Sequence, residues 1–381
     1  MENEKLKVVH IITKLELGGA QINTVYTYDH LDRNRFEPYL ISGPGGIMNE
    51  KVNDKDHFII LDNLTRPIHP IKDLLTYFKL IRILKKIKPH IVHTHSSKAG
   101  IIGRLAARRA KVPAIIHSVH GFSFSPFQSF LKRTFFTTAE RCASRATHHF
   151  IFVSREDIET ARVHGLIRQD YSLIRSGFPI RDFIQISPQT SELRKKYNIR
   201  DDQFVCGIIA PFKPQKGLFH LAEIAHRVLN SPKRKKDIVF FIAGDGQLRE
   251  EFENELKTKG IFENFRLPGF IFDMPSVIDL FDLGVSTALW EGLPQSLVQL
   301  RLKKKAVVAS DITGNREVIS NGNNGYLVDV FDYDRFAQAV LELVHDDSNR
   351  VKMAAYNDDF SQWDADYMVK RQEELYRKLL D

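Results

Sequence analysis

Lys7-Val8-Val9-His10-Ile11-Ile12, then Leu17-Gly18-Gly19-Ala20, then a helical stretch from Gln21 to about Leu31 open the chain. An apolar run of strand length, a glycine turn and a helix in that order begin a βαβ unit. Strands are predicted next at 38–42 and 57–61, with a glycine loop at 43–46 between them. Residues 71–87 carry Leu74, Leu75, Phe78, Ile81 and Leu84 at helical spacing, with Lys and Arg between them, and Pro89 ends the run. Strands at 91–93, 114–116 and 150–153 alternate with helices at 100–109 and 129–144. The alternation then repeats: strands at 204–209, 238–243, 265–267, 283–285, 306–309 and 325–328, with helices at 218–229, 248–257, 275–280 and 295–302 between them. From Asp332 onward the chain reads as mostly helical. Such alternation predicts parallel sheets covered by helices on both faces. The fold class is therefore α/β, with two Rossmann-like doubly wound halves joined around 180–200, where Pro179 and Pro188 sit among polar residues. In such folds ligands bind at the carboxyl ends of the strands, and two facing halves predict a site in the cleft between them.

The 381 residues suit two domains. Apolar residues at 43%, with 27 Phe, exclude disorder as the main state. No apolar run approaches the roughly 18–20 residues that span a bilayer, and residues 1–5 do not read as a signal peptide. Cys142 and Cys206 are far apart, which excludes a disulfide framework and a cysteine zinc site and fits a reducing cytoplasm. The net charge of +8 is uneven. Residues 1–190 hold 28 Lys/Arg against 17 Asp/Glu, and residues 191–381 hold 27 against 30. A basic first half fits an anionic partner (nucleic acid, a phosphorylated substrate or a membrane surface), although a solvated basic face gives the same asymmetry. Helical basic residues in this half include Arg104, Arg108, Arg109 and Lys111, and Lys79, Arg82, Lys85 and Lys86. No nucleic-acid-binding module is recognisable.

Four motifs carry chemistry. In Trp290-Glu291-Gly292-Leu293-Pro294-Gln295-Ser296-Leu297-Val298-Gln299 a strand precedes and a helix follows. The turn is expected to leave the amides of Gln295, Ser296 and Leu297 free for an anion at the helix N-terminus. The Glu291 carboxylate is placed to accept from sugar hydroxyls. A capped helix with a solvent-facing Glu reads the same way. Pro211-Phe212-Lys213-Pro214-Gln215-Lys216-Gly217 places two lysines at a strand-to-helix turn, where they suit a diphosphate, or form only a basic loop. Gly18-Gly19 allows close approach of a ligand to backbone, or a plain tight turn. His120, at a strand end before Gly121, is either a cleft residue or a structural histidine, and His93 and His95 flank another strand end. No histidine cluster or carboxylate pair with ligand spacing proposes a metal site.

The ordered set resembles glycosyltransferase family 4 over nearly the whole chain. Its pieces are Gly18-Gly19-Ala20-Gln21, His93-Thr94-His95-Ser96-Ser97-Lys98-Ala99-Gly100, His120-Gly121-Phe122, Ser176-Gly177 and Lys213-Pro214-Gln215-Lys216-Gly217. Ala243-Gly244-Asp245-Gly246, Leu267-Pro268-Gly269, Glu291-Gly292-Leu293-Pro294, Gly314-Asn315-Arg316-Glu317-Val318-Ile319 and Asn321-Gly322-Asn323-Asn324-Gly325 follow. The resemblance implies a GT-B fold, two Rossmann-like domains facing a central cleft. Residues 1–185 would hold the acceptor, 186–365 the nucleotide sugar, and 366–381 would form a helix packing back on the first domain. It implies retaining transfer with no metal and no cofactor. Lys216 and Lys213 would neutralise the donor diphosphate, Gly19 would cover it, Glu291 would hold the sugar ring, Gly269 and Phe270 would meet the base, and His120 would lie beside the transferred sugar.

Two positions depart from the family pattern. Gln299 stands where the family usually has a second Glu, eight residues after the first, that accepts from the ribose. Pro211 stands where it usually has an Arg, five residues before the key Lys. The expected function is transfer from a UDP- or GDP-linked sugar to a glycan or lipid-linked acceptor, in cell-surface polysaccharide or lipopolysaccharide synthesis. The expected place is the cytoplasm, peripheral on the inner face of the membrane. A non-catalytic glycosyltransferase-like binding subunit and a sugar-nucleotide epimerase are the alternatives.

Overall fold

The structure, a computed structural model, describes residues 5–16, 18–122, 124, 129–167, 170–184 and 190–380. The chain divides into two compact units, 1–178 with 361–381, and 179–360. The boundary expected between 185 and 186 lies outside the described residues, and the chain rejoins the first unit at Ser361 rather than at 366.

In the first unit seven strands form one parallel sheet. They are β1 (Leu6–Ile11), β2 (Phe36–Ser42), β3 (Phe58–Ile60), β4 (Ile91–His95), β5 (Ala114–Val119), β6 (His149–Phe152) and β7 (Tyr171–Leu173), in the order β3-β2-β1-β4-β5-β6-β7. Side chains alternate across a strand, so each strand feeds two cores. Val9, Ile11, Val92 and Ile115 pack with Leu80, Leu84 and Ala106 from helices Pro70–Ile87 and Ser97–Arg109. Val8, Ile91, Ala114 and Ile116 pack on the opposite face with Met368, Val369 and Tyr376 of helix Ala365–Lys378. The chain leaves and re-enters this unit side by side: the Phe178 amide donates to the Trp363 carbonyl (2.7 Å), and the Ala365 amide to the Phe178 carbonyl (2.8 Å).

The second unit holds six parallel strands, β8 (Phe204–Ile209), β9 (Ile238–Ala243), β10 (Phe265–Gly269), β11 (Leu283–Ser286), β12 (Val307–Ser310) and β13 (Gly325–Val328). Their order is β10-β9-β8-β11-β12-β13. Counted within the unit this is 3-2-1-4-5-6, the dinucleotide-fold order, and it reverses direction between β8 and β11. Phe240, Phe252, Leu221 and Val340 are among the side chains of its core. Helices Leu218–Leu229 and Tyr333–His345 lie against one another over the sheet.

No helix among the described residues is long and apolar enough to cross a membrane.

Candidate functional site

The loop after β8 and the loop after β11 leave the sheet at its switch point, and they bring Lys216 and Glu291 together. Lys216 closes the 3-10 turn Pro214–Lys216, and Gly217 ends that turn at φ +59°, in the left-handed region. A Cβ at Gly217 would stand 2.1 Å from the Thr287 carbonyl oxygen, so the two loops touch backbone to backbone here. Thr287 Oγ1 donates to the Lys216 carbonyl (3.1 Å), and the Leu289 amide to the Gln215 carbonyl (2.8 Å). The Lys216 ammonium is ion-paired with Glu291 Oε1. Gln215 Nε2 donates to Glu291 Oε2 (3.3 Å) and to the Trp290 carbonyl (2.9 Å). Glu291 is buried and both its carboxylate oxygens accept, so it is not the solvent-facing Glu of a merely capped helix. Beneath it, a Cβ at Gly314 would meet the Glu291 carbonyl oxygen at 2.3 Å. Fully buried Asn315 donates from Nδ2 to the Ser310 carbonyl (2.8 Å), and Ser310 Oγ donates to the Ala288 carbonyl (2.5 Å), which fastens this segment to the end of β11.

The amides expected to be free at the next helix need correction. Helix Gln295–Leu302 starts after Pro294, but the Gln295 amide donates to the Leu293 carbonyl (2.9 Å) and the Leu297 amide to the Pro294 carbonyl (2.9 Å). A tight turn and a 3-10 first turn consume them. Of the three, the Ser296 amide makes no backbone bond among the described residues. Leu297, Val298 and Leu300 are buried, while Gln295, Ser296 and Gln299 share the partly exposed face, as i,i+3 and i,i+4 spacing requires. Lys213 is exposed in the loop after β8, beside an apolar cavity of about 290 Å³ lined by Phe212, Leu218, Phe219, Phe252 and Leu289. At the end of β10, Gly269 accepts the Gly244 amide (2.9 Å), and Phe270 is exposed. Gln215, Gly314 and Asn315 complete this constellation and were not singled out from the sequence as site residues. Their signal was membership of the Lys213–Gly217 and Gly314–Ile319 motifs.

In the first unit Gly18 and Gly19 start helix Gly19–His30 just after β1, and His120 follows β5. Gly18 is extended (φ −173°), a conformation any residue adopts, so its place is not set by backbone freedom. His120 Nε2 is buried with no hydrogen-bond partner among the described residues, and burial lowers its pKa to about 4. The imidazole is thus neutral at pH 7. A cavity of about 10 Å³, room for one water, is lined by His95, His120, Arg175 and Ser118.

The structure also corrects two sequence expectations about this unit. The first is that no histidine cluster exists. His10 of β1 lies beside His93 of β4 in register, and with His95 they bring one ring nitrogen each within 4.8 Å of one another. His10 Nδ1 and His95 Nε2 are hydrogen-bonded (3.1 Å), and His93 is held by the Tyr376 hydroxyl (2.6 Å) and Ser118 Oγ (2.7 Å). The cluster joins neighbouring strands far apart in sequence, so spacing along the chain could not show it. Burial lowers the pKa of all three, that of His10 to about 3, and the mutual repulsion of the rings lowers His93 and His95 further. The second concerns Arg104. It is no part of a basic surface: it is fully buried, paired with Glu140 (2.6 Å), and bonded to Thr147 Oγ1 (3.3 Å) and the Gly100 carbonyl (2.8 Å).

Comparison with known proteins adds to this geometry. Residues 17–181 match the family model described as Glycosyltransferase Family 4, and residues 189–360 match that described as Glycosyl transferases group 1. The chain is 29% identical over 351 residues to the UDP-Gal:alpha-D-GlcNAc-diphosphoundecaprenol alpha-1,3-galactosyltransferase of Escherichia coli, covering 90% of this chain and 89% of that one. It is 24% identical over 360 residues to the N,N'-diacetylbacillosaminyl-diphospho-undecaprenol alpha-1,3-N-acetylgalactosaminyltransferase of Campylobacter jejuni, covering 91% and 93%. Among solved structures, HepE of Anabaena in complex with UDP and glucose superposes with a TM-score of 0.82 at 18% identity, over 98% of this chain and 100% of that one. This likeness shows the GT-B fold that the sequence led us to expect.

Proposed function

Because the chain belongs to glycosyltransferase family 4, we propose that it is a retaining enzyme that moves a hexose from a UDP-linked donor to a glycan carried on a polyprenyl diphosphate, in the making of a cell-surface polysaccharide or lipopolysaccharide. The observation that carries this reading is the meeting of Lys216 and Glu291 at the switch point between β8 and β11, where a doubly wound sheet takes its ligand. The uridine and the lipid-linked acceptor are supported by the relatives, one of which is named for UDP-Gal and both for diphosphoundecaprenol substrates.

In this reading Lys216 and Lys213 balance the charge of the donor diphosphate, with the Ser296 amide as a further donor. Glu291 accepts from the sugar hydroxyls. Gly269 and Phe270 lie toward the base, and Gln299 toward the ribose, through a neutral carbonyl where a carboxylate would bond more strongly. On the acceptor unit, Gly18, Gly19 and neutral His120 serve the transfer. As the glycosidic bond breaks, the leaving diphosphate gains charge, so a fixed cation stabilises the transition state more than the ground state. The two lysines take the role of a divalent cation, and activity is expected to survive EDTA. The protein works peripherally at the cytoplasmic face of the membrane.

Thermal unfolding with UDP, GDP and NAD tests the donor assignment. UDP at about 100 times its Kd should stabilise by about 2.7 kcal/mol, and NAD should not. A Tm that moves with GDP alone changes the base, and one that moves with neither nucleotide overturns the donor site. Transfer from a UDP-hexose to a polyprenyl-diphosphate sugar in detergent then tests the reaction itself.

A further inference from the structure

Two helices on one face of the first sheet begin with exposed apolar side chains. Helix Pro70–Ile87 buries Leu80 and Leu84, yet in its first half Ile71, Leu74, Leu75 and Phe78 are 46–68% exposed. Helix Phe130–Ser144 does the same, with Phe130, Leu131 and Phe135 57–81% exposed. Helix Ser97–Arg109 lies between these two and contacts both. In a parallel sheet each helix starts where its strand ends, so the first halves of all three lie at the carboxyl edge. That edge also carries Gly19 and His120. Lys98, at the start of the middle helix, ties it to the start of the first through Asp73 (2.5 Å) and the Pro67 carbonyl (2.5 Å).

Single exposed apolar residues need no explanation, but large ones gathered on neighbouring helices mark an interaction surface. The charge on this layer says what it meets. Helix Pro70–Ile87 carries Lys72, Lys79, Arg82, Lys85 and Lys86, and its one acid, Asp73, is paired with Lys98. The acid of helix Phe130–Ser144, Glu140, is buried against Arg104. Both acids are therefore neutralised within the protein, and the outward charge is positive.

We propose that this edge of the first unit sits in the interface of an anionic bilayer, with the exposed apolar side chains in the acyl boundary and Lys72 and Lys79 among the headgroups. The inference rests on the reading of a lipid-linked acceptor and deepens it, because the edge that carries the acceptor-side residues is the edge that enters the membrane. Apolar insertion combined with attraction between a basic surface and anionic lipid is how an amphipathic surface holds to a bilayer without spanning it.

The full chain is sedimented with vesicles of phosphatidylcholine alone and of phosphatidylcholine with phosphatidylglycerol. We expect binding to the anionic vesicles that weakens with salt. The double variant Leu74→Glu/Phe78→Glu should lower the partition coefficient by about tenfold or more. Arg108→Glu/Arg109→Glu, at the far end of the middle helix, should change it much less. The Tm rise with UDP should be the same in every variant, which establishes folding and a working donor site. Failure of the wild type to bind anionic vesicles, or equal binding by wild type and Leu74→Glu/Phe78→Glu, overturns the proposal and leaves a protein partner as the occupant. Loss of transfer to the polyprenyl acceptor in detergent, with vesicle binding intact, overturns the acceptor reading instead.

Discussion

If Lys216 balances the donor diphosphate as proposed, its one ammonium, already paired with Glu291, has to serve two anions. Removing the Glu291 charge while keeping its shape should separate the two roles. Glu291→Gln is expected to bind UDP as tightly as the wild type or more tightly, because Lys216 no longer divides its charge, while kcat falls as the sugar loses its orientation. Calorimetry with UDP beside initial rates tests this, and weaker UDP binding with unchanged kcat would contradict it. Lys216→Ala should lower kcat by about a hundredfold or more, the scale of losing one preorganised electrostatic donor. Gln299→Glu should tighten donor binding by about 1 kcal/mol if the residue faces the ribose, and a weaker Kd would place the ribose elsewhere. Arg104 belongs to a different kind of chemistry. Arg104→Ala leaves Glu140 buried without its cation and should cost about 3–5 kcal/mol in a denaturant titration, with donor affinity in the surviving fold unchanged. Nothing along the sequence distinguishes Arg104 from Arg108 four residues later, because what decides burial is Glu140 on another helix. The loop positions of Lys216 and Glu291 are legible because each loop lies between a strand and a helix that are both clear. The role of Gln215 is not, because its bonds to Glu291 and Trp290 cross from one loop to another.

The elements that hold this pair were the most legible part of the molecule. Helices Leu218–Leu229 and Gln295–Leu302 and strand Gly325–Val328 have the bounds their apolar patterns predict. Helix Arg155–Val163 was not read from the sequence, since it buries little besides Ala161 and Asp157 and so carries almost no apolar stripe. Strand Tyr171–Leu173 is three half-buried residues at the sheet edge, too short for a pattern. The contact between loops makes its own prediction. At Gly217 a side chain meets both a left-handed φ and the Thr287 carbonyl, and at Gly314 it meets the Glu291 carbonyl. Gly217→Ala and Gly314→Ala should each destabilise by about 1–3 kcal/mol. Each should also lower kcat at saturating donor, because the loops that set Lys216 against Glu291 are pushed apart. Tm and kcat measured together test this, and a stable variant with full kcat would mean that the pairing tolerates the displacement.

Across the whole molecule the two units should answer acid differently. His10, His93, His95, His117 and His120 in the first unit all have pKa values lowered chiefly by burial, to about 3 for His10 and about 4 for His120. Unfolded, each returns to about 6.5 and takes up a proton more readily than in the fold. The stability these groups contribute is therefore full above pH 6.5 and is lost as pH falls from there toward 4 and below. The second unit has no comparable set of fully buried histidines among its described residues. Hydrogen exchange at pH 7 and pH 5, corrected for intrinsic rates, should show protection lost first in β1, β4 and β5. Equal loss in both units would show that the histidines do not set acid stability.

The side-by-side exit and return at Phe178 and Ala365 mean that the second unit is a continuous stretch interrupting the first. A ribosome releases the chain in order, so β1 to β7 emerge well before the helix that covers one of their faces. At the usual pace of synthesis, Ala365–Lys378 follows Phe178 by roughly 10–40 s. During that interval Val8, Ile91 and Ile116 lack their Met368 and Tyr376 cover, and the His93 ring awaits its hydroxyl partner. The second unit needs only its own consecutive residues and can close while the first is still waiting. The half that emerges first is thus the half completed last, and a released chain that ends at Phe360 should present a protease-resistant second unit beside a first unit that is still open to cleavage.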